Sequence, residues 1–200
     1  MSNFSSVAER YHYLGNSKYQ LGDYRGAIFD YTKSIQSNSN NHLVYYNRGV
    51  VKSELGDNHS AIADYNRAIL INSNYALAYN NRGIAKYELE DYQGAINDLN
   101  QAVLINPNMA EAYDSRGLVK NKLGNKDLAI NDFNKAISIK TNFAEAYYNR
   151  AIAKFDLGDK QGAVDDYNEA RRLNPALVYQ KDRKRLLEKL ASILKIFFRG

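Results

Sequence analysis

The chain carries HLVYYNRGVVKSELGDNHSAIADYNRAILINSNY at residues 42–75, followed at residues 76–109 by ALAYNNRGIAKYELEDYQGAINDLNQAVLINPNM. In both segments tyrosine stands fourth, leucine fourteenth and alanine twentieth. The same residues hold these three places in five consecutive 34-residue segments, which are 8–41, 42–75, 76–109, 110–143 and 144–177. A fixed period of this length is typical of a repeat array, in which a unit buries its apolar face by stacking on a neighbour.

Each repeat is predicted to form two helices joined by a short turn. In the third repeat, apolar residues at helical spacing predict a first helix over about 76–89 and a second over about 93–105. Four of the turns contain glycine followed by Asp or Asn, where glycine ends one helix and the next residue caps the following helix. The third repeat has Glu90 and Asp91 at these places. The small alanines at the twentieth and twenty-seventh places predict close approach of the two helices.

The repeat pattern resembles the tetratricopeptide repeat across residues 8–177. It combines Tyr-x-x-x-Gly in the first helix, Ala-x-x-x-(Tyr/Leu/Phe)-x-x-Ala in the second, and proline near the end of a unit. The chain departs from the family in using tyrosine for the usual tryptophan, Ala151 for a glycine, and proline only at Pro107 and Pro175. The resemblance implies an all-α, right-handed α-solenoid of helix–turn–helix repeats. It also implies a non-catalytic adaptor or scaffold that binds a peptide or protein partner in a concave groove lined by the first helices.

Opposite charges recur at two places of the repeat. Four repeats have arginine at the seventh place and aspartate at the twenty-third, as in Arg48 and Asp64. We predict an Arg–Asp bridge between the two helices of a unit or across a unit junction. The alternative is an arginine row that binds an acidic ligand. The first repeat has Leu14 at the arginine place and is predicted to differ there.

Helical phase and the habit of the family place the second, fifth, sixth, ninth, twelfth and thirteenth residues of each repeat on the groove. The sixth place holds Asn47, Asn81 and Asn149, with Ser115 in the fourth repeat. An amide offers both a donor and an acceptor, so these residues are predicted to form a ladder for an extended peptide. The alternative is that asparagine occurs at the sixth place by chance, because the chain is rich in asparagine throughout. The further groove candidates are Asn16, Tyr19, Val50, Ile84, Tyr87, Leu118, Ile152 and Phe155.

The asparagines alone do not supply enough binding energy. Three amides contribute roughly 3–6 kcal/mol at most, whereas micromolar binding requires about 8 kcal/mol. The apolar and aromatic groove candidates are therefore expected to supply the rest, and with it the specificity.

Co-chaperones of the tetratricopeptide family hold a C-terminal carboxylate with Lys or Arg and Asn from three successive units. Asn16 and Asn47 match two of those positions, whereas His12, Leu77 and Asn81 stand where the bases are required. Without those cations, binding of a chaperone tail is not expected.

Positive charge is concentrated at the C-terminus. Residues 171–200 carry nine Lys or Arg and two acids, while the remaining 170 residues have a balance of −2. Beyond an N-terminal extension at 1–7 and the repeats, residues 178–200 are predicted to form a basic amphipathic helix that caps the array. The alternatives are a membrane-peripheral assembly factor held on an anionic bilayer by this helix, and weak self-association of an otherwise monomeric chain through it. No nucleic-acid-binding module accompanies the charge, so no nucleic acid is expected.

The sequence offers no catalytic constellation. It has no cysteine, and its three histidines lack the spacing of metal ligands. No nucleophile-elbow or phosphate-binding glycine motif is present. We therefore expect no enzyme activity, no cofactor and no metal. The N-terminus has no apolar run of signal-peptide length and no window resembles a membrane span, so a cytoplasmic location is expected.

Overall fold

The computed structural model describes residues 6–182, and within them every regular element is a helix. The helices are α1 (Val7–Gln20), α2 (Tyr24–Ser37), α3 (His42–Glu54), α4 (Asn58–Ile71), α5 (Ala76–Glu88), α6 (Tyr92–Ile105), α7 (Ala110–Lys122), α8 (Lys126–Ile139), α9 (Ala144–Leu157) and α10 (Lys160–Leu173). A further helical segment covers residues 175–182. The predicted all-α fold is confirmed, and α5 and α6 begin and end within one residue of their predicted bounds.

The turn inside each repeat is set by one left-handed residue. Gly22, Gly56, Gly124 and Gly158 have φ between 76° and 93°, a region that glycine enters without steric penalty. Glu90 takes the same place in the third repeat with φ of 63°. This left-handed conformation is sterically unfavourable for a residue with a side chain, so Glu90 is strained there.

The residue after the left-handed position caps the second helix in four of the five repeats. The carboxylates of Asp23, Asp57, Asp91 and Asp159 each accept a hydrogen bond of 2.9–3.1 Å from the backbone N–H three residues later. Asn125 makes no side-chain cap hydrogen bond, so the predicted cap is wrong in the fourth repeat. Its neutral amide gains less than a carboxylate from the positive end of a helix.

The chain divides into two compact units, with the boundary after Val119, inside α7. In the first unit, α1 packs on α2, α3 on α4, and α5 on α6, while α2 contacts α3 and α4 contacts α5. In the second unit, α9 packs on both α8 and α10. Helix pairs that bury their apolar faces on the neighbouring pair are the packing unit of an α-solenoid.

Small residues allow the paired helices to approach. The alanines at the twentieth place of the first four repeats and at the twenty-seventh place of the second to fifth are fully buried. In the first two repeats the eighth-place glycine lies under a tyrosine ring from the second helix: a Cβ on Gly49 would stand 2.7 Å from Cε1 of Tyr65, and one on Gly15 would stand 2.6 Å from Tyr31. The tyrosine rings therefore fill the space that a larger side chain on the first helix would occupy.

The helical segment after α10 covers the last pair. Val178 is 2 % exposed and packs with Tyr148 and Ala170. The carboxylate of Asp182 accepts hydrogen bonds from the hydroxyls of Tyr148 at 2.9 Å and Tyr167 at 2.7 Å. The segment up to Asp182 thus acts as a cap. The membrane and self-association alternatives concern mainly residues 183–200, which lie outside the described residues.

Across residues 6–182, no helix combines the length and the apolar character needed to cross a membrane.

Candidate groove between the first helices

In the second, third and fifth repeats, the recurring arginine and aspartate form an ion pair. Arg48 donates from Nε to Oδ2 of Asp64 at 2.9 Å and from Nη2 to Oδ1 at 2.6 Å. Nζ of Lys52 lies 2.7 Å from the same carboxylate, which is almost fully buried. The same Arg–Asp–Lys cluster recurs in two further repeats, as Arg82, Asp98 and Lys86 and as Arg150, Asp166 and Lys154. The predicted bridge is confirmed and joins the two helices of one repeat.

Each of these arginines also contacts the preceding repeat. Nη1 of Arg48 donates to Oγ1 of Thr32, in the preceding repeat, at 3.0 Å. Within its own repeat, the guanidinium lies 5.8 Å from the centre of the Tyr45 ring. Later repeats place asparagine at the position of Thr32, and the matching pairs are Arg82 with Asn66, Arg116 with Asn100, and Arg150 with Asn134. In the first repeat, Lys18 binds Asp30 at 2.7 Å, and it is the only ion-pair partner of Asp30 among residues 6–182. Because their donors are engaged internally, the arginines are not a row for an acidic ligand.

The opposite face of the first helices carries the predicted groove residues. In the first two repeats, the Asn47 amide nitrogen donates to Oδ1 of Asn16 at 3.0 Å and lies 3.0 Å from Nε2 of His12. The Tyr31 hydroxyl donates to the same Asn16 oxygen at 2.8 Å. Burial lowers the pKa of His12, so its ring is neutral at pH 7 and Nε2 can accept from the amide. These four side chains form one network.

The other two asparagines of the predicted ladder have different surroundings. Asn81 donates to the Tyr46 hydroxyl at 3.1 Å and accepts from Asn80 at 3.0 Å. Asn149 is 4 % exposed and accepts from Nζ of Lys181 at 3.3 Å. One partner of both Asn47 and Asn81 is the fifth-place residue of the preceding repeat, which is His12 in one case and Tyr46 in the other. Equal spacing therefore does not produce equivalent amides.

Two adjoining cavities lie along this face in the first unit. The larger, of about 380 Å³, is lined by Asn16, Tyr19, Gln20, Tyr31, Tyr46, Asn47 and Val50. The smaller, of about 170 Å³, is lined by Val50, Ser53, Glu54, Tyr65, Asn81 and Ile84. Val50 lines both, so the two cavities lie next to each other along the first three repeats. Burial raises the pKa of Tyr31 to about 12 and also raises that of Tyr46, so both hydroxyls remain protonated hydrogen-bond donors.

A separate cavity of about 230 Å³ lies in the second unit. It is lined by Tyr148, Ala151, Ile152, Phe155, Ala163, Val164, Tyr167 and Asp182. The predicted groove residues Ile152 and Phe155 thus share a surface that is mainly apolar. Its polar groups are the two tyrosine hydroxyls and the Asp182 carboxylate that accepts from them.

The remaining candidates lie outside these three cavities. Ser115 and Leu118 are partly exposed on α7. The Tyr87 ring lies tilted against the Tyr92 ring, with centroids 5.7 Å apart, and packs on the cluster around Leu99.

Apart from Tyr19, the tyrosines that line the cavities were not among the predicted site residues. Tyr31 and Tyr65 stand at the twenty-fourth place, on the second helix, whereas the predicted groove places all lie on the first helices. Tyr46 and Tyr148 hold the fifth place. The available signal was a spacing of 35 residues, which separates His12 from Asn47 and Tyr46 from Asn81.

Models of two repeat families match the sequence. The model described as tetratricopeptide repeat matches residues 76–109 and 144–177. The model described as TPR repeat matches residues 15–56, 53–89 and 117–158, which together are more than half of the chain.

Solved structures show the same fold. A crystal structure of MamA is 30 % identical, with a TM-score of 0.71, and the match covers 86 % of this chain and 97 % of that one. The first TPR of Spaghetti (RPAP3), bound to the HSP90 peptide SRMEEVD, is 28 % identical with a TM-score of 0.59, covering 60 % of this chain and 96 % of that one. YrrB, described as a TPR protein with an unusual peptide-binding site, is 20 % identical with a TM-score of 0.66, covering 87 % and 90 %. No curated protein sequence matches the chain.

Proposed function

Because the chain belongs to the tetratricopeptide repeat family, we propose that it is a non-catalytic scaffold that holds an extended peptide or partner segment against its first helices. Proteins of this family are generally protein-interaction scaffolds without a catalytic centre. The observation that carries the proposal is the pair of adjoining cavities around Val50. Except for Tyr31 and Tyr65, every residue that lines them comes from a first helix.

The cavities have the composition of a peptide site. The larger one falls within the range of about 300–1,000 Å³ that is typical of ligand pockets. Val50, Ile84 and the tyrosine rings offer apolar surface, and each buried Å² of such surface contributes about 25 cal/mol. Oδ1 of Asn47 accepts no hydrogen bond from residues 6–182 and is able to accept one from a peptide N–H. The site thus combines apolar contact with at least one backbone hydrogen bond.

The ligand is not expected to resemble the acidic chaperone peptide bound by the relative RPAP3. Binding of such an acidic peptide would require cations along the groove of this chain. Here His12 is neutral, and Leu77 and Asn81 carry no charge. A carboxylate placed at these positions would lose its hydration without gaining a counter-charge.

The proposal is tested by changing Val50 to arginine. Val50→Arg inserts a long cationic side chain into both cavities, so we expect partner segments captured by the wild-type chain to be lost. The matched control is Leu70→Arg, since Leu70 is 72 % exposed on α4 and lines neither cavity. The measurement is quantitative mass spectrometry of cross-linked partners, with helicity checked by circular dichroism. Partners retained by the Val50 variant, or lost equally from both variants, would place recognition outside the cavities.

Attachment to an anionic membrane remains a second proposal, carried by the charge of the C-terminal segment. The described part of that segment is already engaged, since Val178 is buried and both Lys181 and Asp182 contact the last repeat. Membrane contact must therefore come from residues 183–200. Co-sedimentation with phosphatidylserine vesicles should be lost when residues 183–200 are deleted, and sedimentation that survives the deletion would reject the proposal.

A further inference from the structure

The positive charges of the first three first helices are almost all used inside the protein. α1, α3 and α5 carry six Lys or Arg residues in total. Lys18 binds Asp30, Arg48 and Lys52 bind Asp64, and Arg82 and Lys86 bind Asp98, all at 2.5–2.9 Å. The sixth, Arg10, is exposed at the third place, which is not a groove place. By helical phase, the seventh and eleventh places lie on the opposite side of the helix from the groove places.

The groove face of the same helices contains acids and no bases. Among the eighteen groove places of the first three repeats, the charged residues are Glu9, Glu54 and Glu88, with no lysine or arginine. Among these eighteen residues, His12 is the only one whose side chain ordinarily titrates near pH 7. Burial lowers its pKa, so the ring is neutral at pH 7. The groove of the first unit is therefore anionic, although repeats 1 to 5 as a whole are close to neutral.

Glu54 lines the smaller cavity and lies near a residue of the larger one. It is the last residue of α3, is exposed, and lines the smaller cavity beside Val50, Tyr65 and Ile84. Its carboxylate is also close enough to Tyr19, in the larger cavity, to raise the pKa of that tyrosine in addition to the effect of burial. A negative charge thus stands at the rim of a depression that is walled by tyrosine rings.

Resting on the proposed function, the geometry points to a ligand segment that carries lysine or arginine. We propose that one cationic head group pairs with Glu54 while its aliphatic stem packs on Val50 and the tyrosine rings. Long basic side chains bury their stems in this way, and tyrosine faces attract the charged head. An acidic segment would meet Glu54 without any counter-charge on the groove face, so the same arrangement rejects it.

The test is selection of a random nonapeptide display library on the full chain at low ionic strength. Enriched peptides should contain lysine or arginine well above the frequency in the input library, and aspartate and glutamate below it. The best enriched peptide, labelled with fluorescein, should bind the Glu54→Gln variant about two- to fivefold more weakly than the wild type. Glu90→Gln is the matched control, because it removes the same charge from an exposed turn and should leave the affinity unchanged.

A charge swap sharpens the assignment. Glu54→Lys should bind the basic peptide worse than Glu54→Gln does, and should regain affinity when the critical lysine of the peptide is replaced by glutamate. Enrichment of neutral or acidic peptides that Val50→Arg abolishes would overturn the charge preference and leave the scaffold function standing. Failure to enrich any peptide would contradict the scaffold function itself. Basic peptides that bind wild type and Glu54→Gln equally would overturn the placement of the cation at Glu54.

Discussion

The two faces of the first helices differ in how strictly they repeat. On one face, arginine at the seventh place and lysine at the eleventh recur and bind a buried aspartate, and the arginine lies over the ring of the fourth-place tyrosine. On the groove face, the fifth place changes from His12 to Tyr46 to Asn80, and the hydrogen-bond partners change with it. Repetition within this chain therefore marks the contacts that hold the helices together, and variation marks the face that carries the proposed groove.

The largest effect is expected on the repeated face. Asp64→Ala leaves Arg48 and Lys52 without their shared carboxylate, and removing one partner of such a pair costs about 3 kcal/mol of unfolding free energy. Asn47→Ala, on the groove face, removes partly exposed hydrogen bonds and should cost about 1 kcal/mol. Urea denaturation followed by circular dichroism measures both changes. Equal losses would break the distinction between the two faces.

The second prediction concerns the glycine that lies under a tyrosine ring. Gly49→Ala places a Cβ 2.7 Å from the Tyr65 ring, and such overpacking costs about 1–3 kcal/mol. Because Tyr65 also lines the smaller cavity, the variant should weaken ligand binding as well as lower Tm. Gly83→Ala is the comparison, since its Cβ would meet Cγ of Leu99 at 2.9 Å and the backbone oxygen of Ala95 at 3.3 Å instead of a ring at 2.7 Å, and should be tolerated better. A larger loss at Gly83 than at Gly49 would show that the ring is not the obstacle.

A departure from the repeat should carry a penalty that can be recovered. Glu90 occupies the left-handed position that glycine holds in the other four repeats. Glu90→Gly removes backbone strain of about 1–2 kcal/mol from the folded state. Part of this gain is lost because glycine has more conformational freedom in the unfolded chain. We expect a net stabilisation of about 0.5–1 kcal/mol, seen as a higher Tm in calorimetry. The reverse change, Gly56→Ala, should lower Tm, and an unchanged Tm in both variants would contradict the argument.

The smallest expected effect is a dependence of stability on pH. The pKa of His12 is lower in the folded chain than the ordinary value of 6.5. The unfolded chain therefore binds more protons as pH falls through 6.5, and the folded state loses stability until the folded pKa is also passed. Between pH 7 and pH 5.5, Tm should fall further in the wild type than in His12→Gln. Parallel curves for the two proteins would show that the His12 ring contributes nothing to this loss.

The helices and the Arg–Asp bridges were predictable from sequence because each rests on local spacing or on two opposite charges that recur together. The third member of the cluster was equally visible, since lysine recurs at the eleventh place from Lys18 to Lys154, yet periodicity alone does not say which acid it reaches. The fourteenth-place leucine gives the opposite lesson. It recurs in all five repeats but is 36–84 % exposed at the end of the first helix, so recurrence does not imply burial.

The groove was predicted less completely. The first-helix places that line the two cavities of the first unit agree with the helical phase, but the second-helix tyrosines Tyr31 and Tyr65 belong to the same walls. The equivalence of Asn47, Asn81 and Asn149 was expected from their common place. Their contacts instead depend on neighbours about 35 residues earlier for two of them and 32 residues later for the third. Such neighbours become apparent only when consecutive repeats are packed together.

The contact between the fifth place of one repeat and the sixth place of the next has a consequence for how such a gene can change. Duplication or loss of one 34-residue unit keeps every Arg–Asp–Lys cluster intact, because each cluster closes within its own unit. The junction, however, acquires a new pair of neighbours. Loss of residues 76–109, for example, would bring Tyr46 opposite Ser115 in place of Asn81. Recombination by whole units therefore gives the lineage new recognition chemistry while the framework that folds is inherited unchanged.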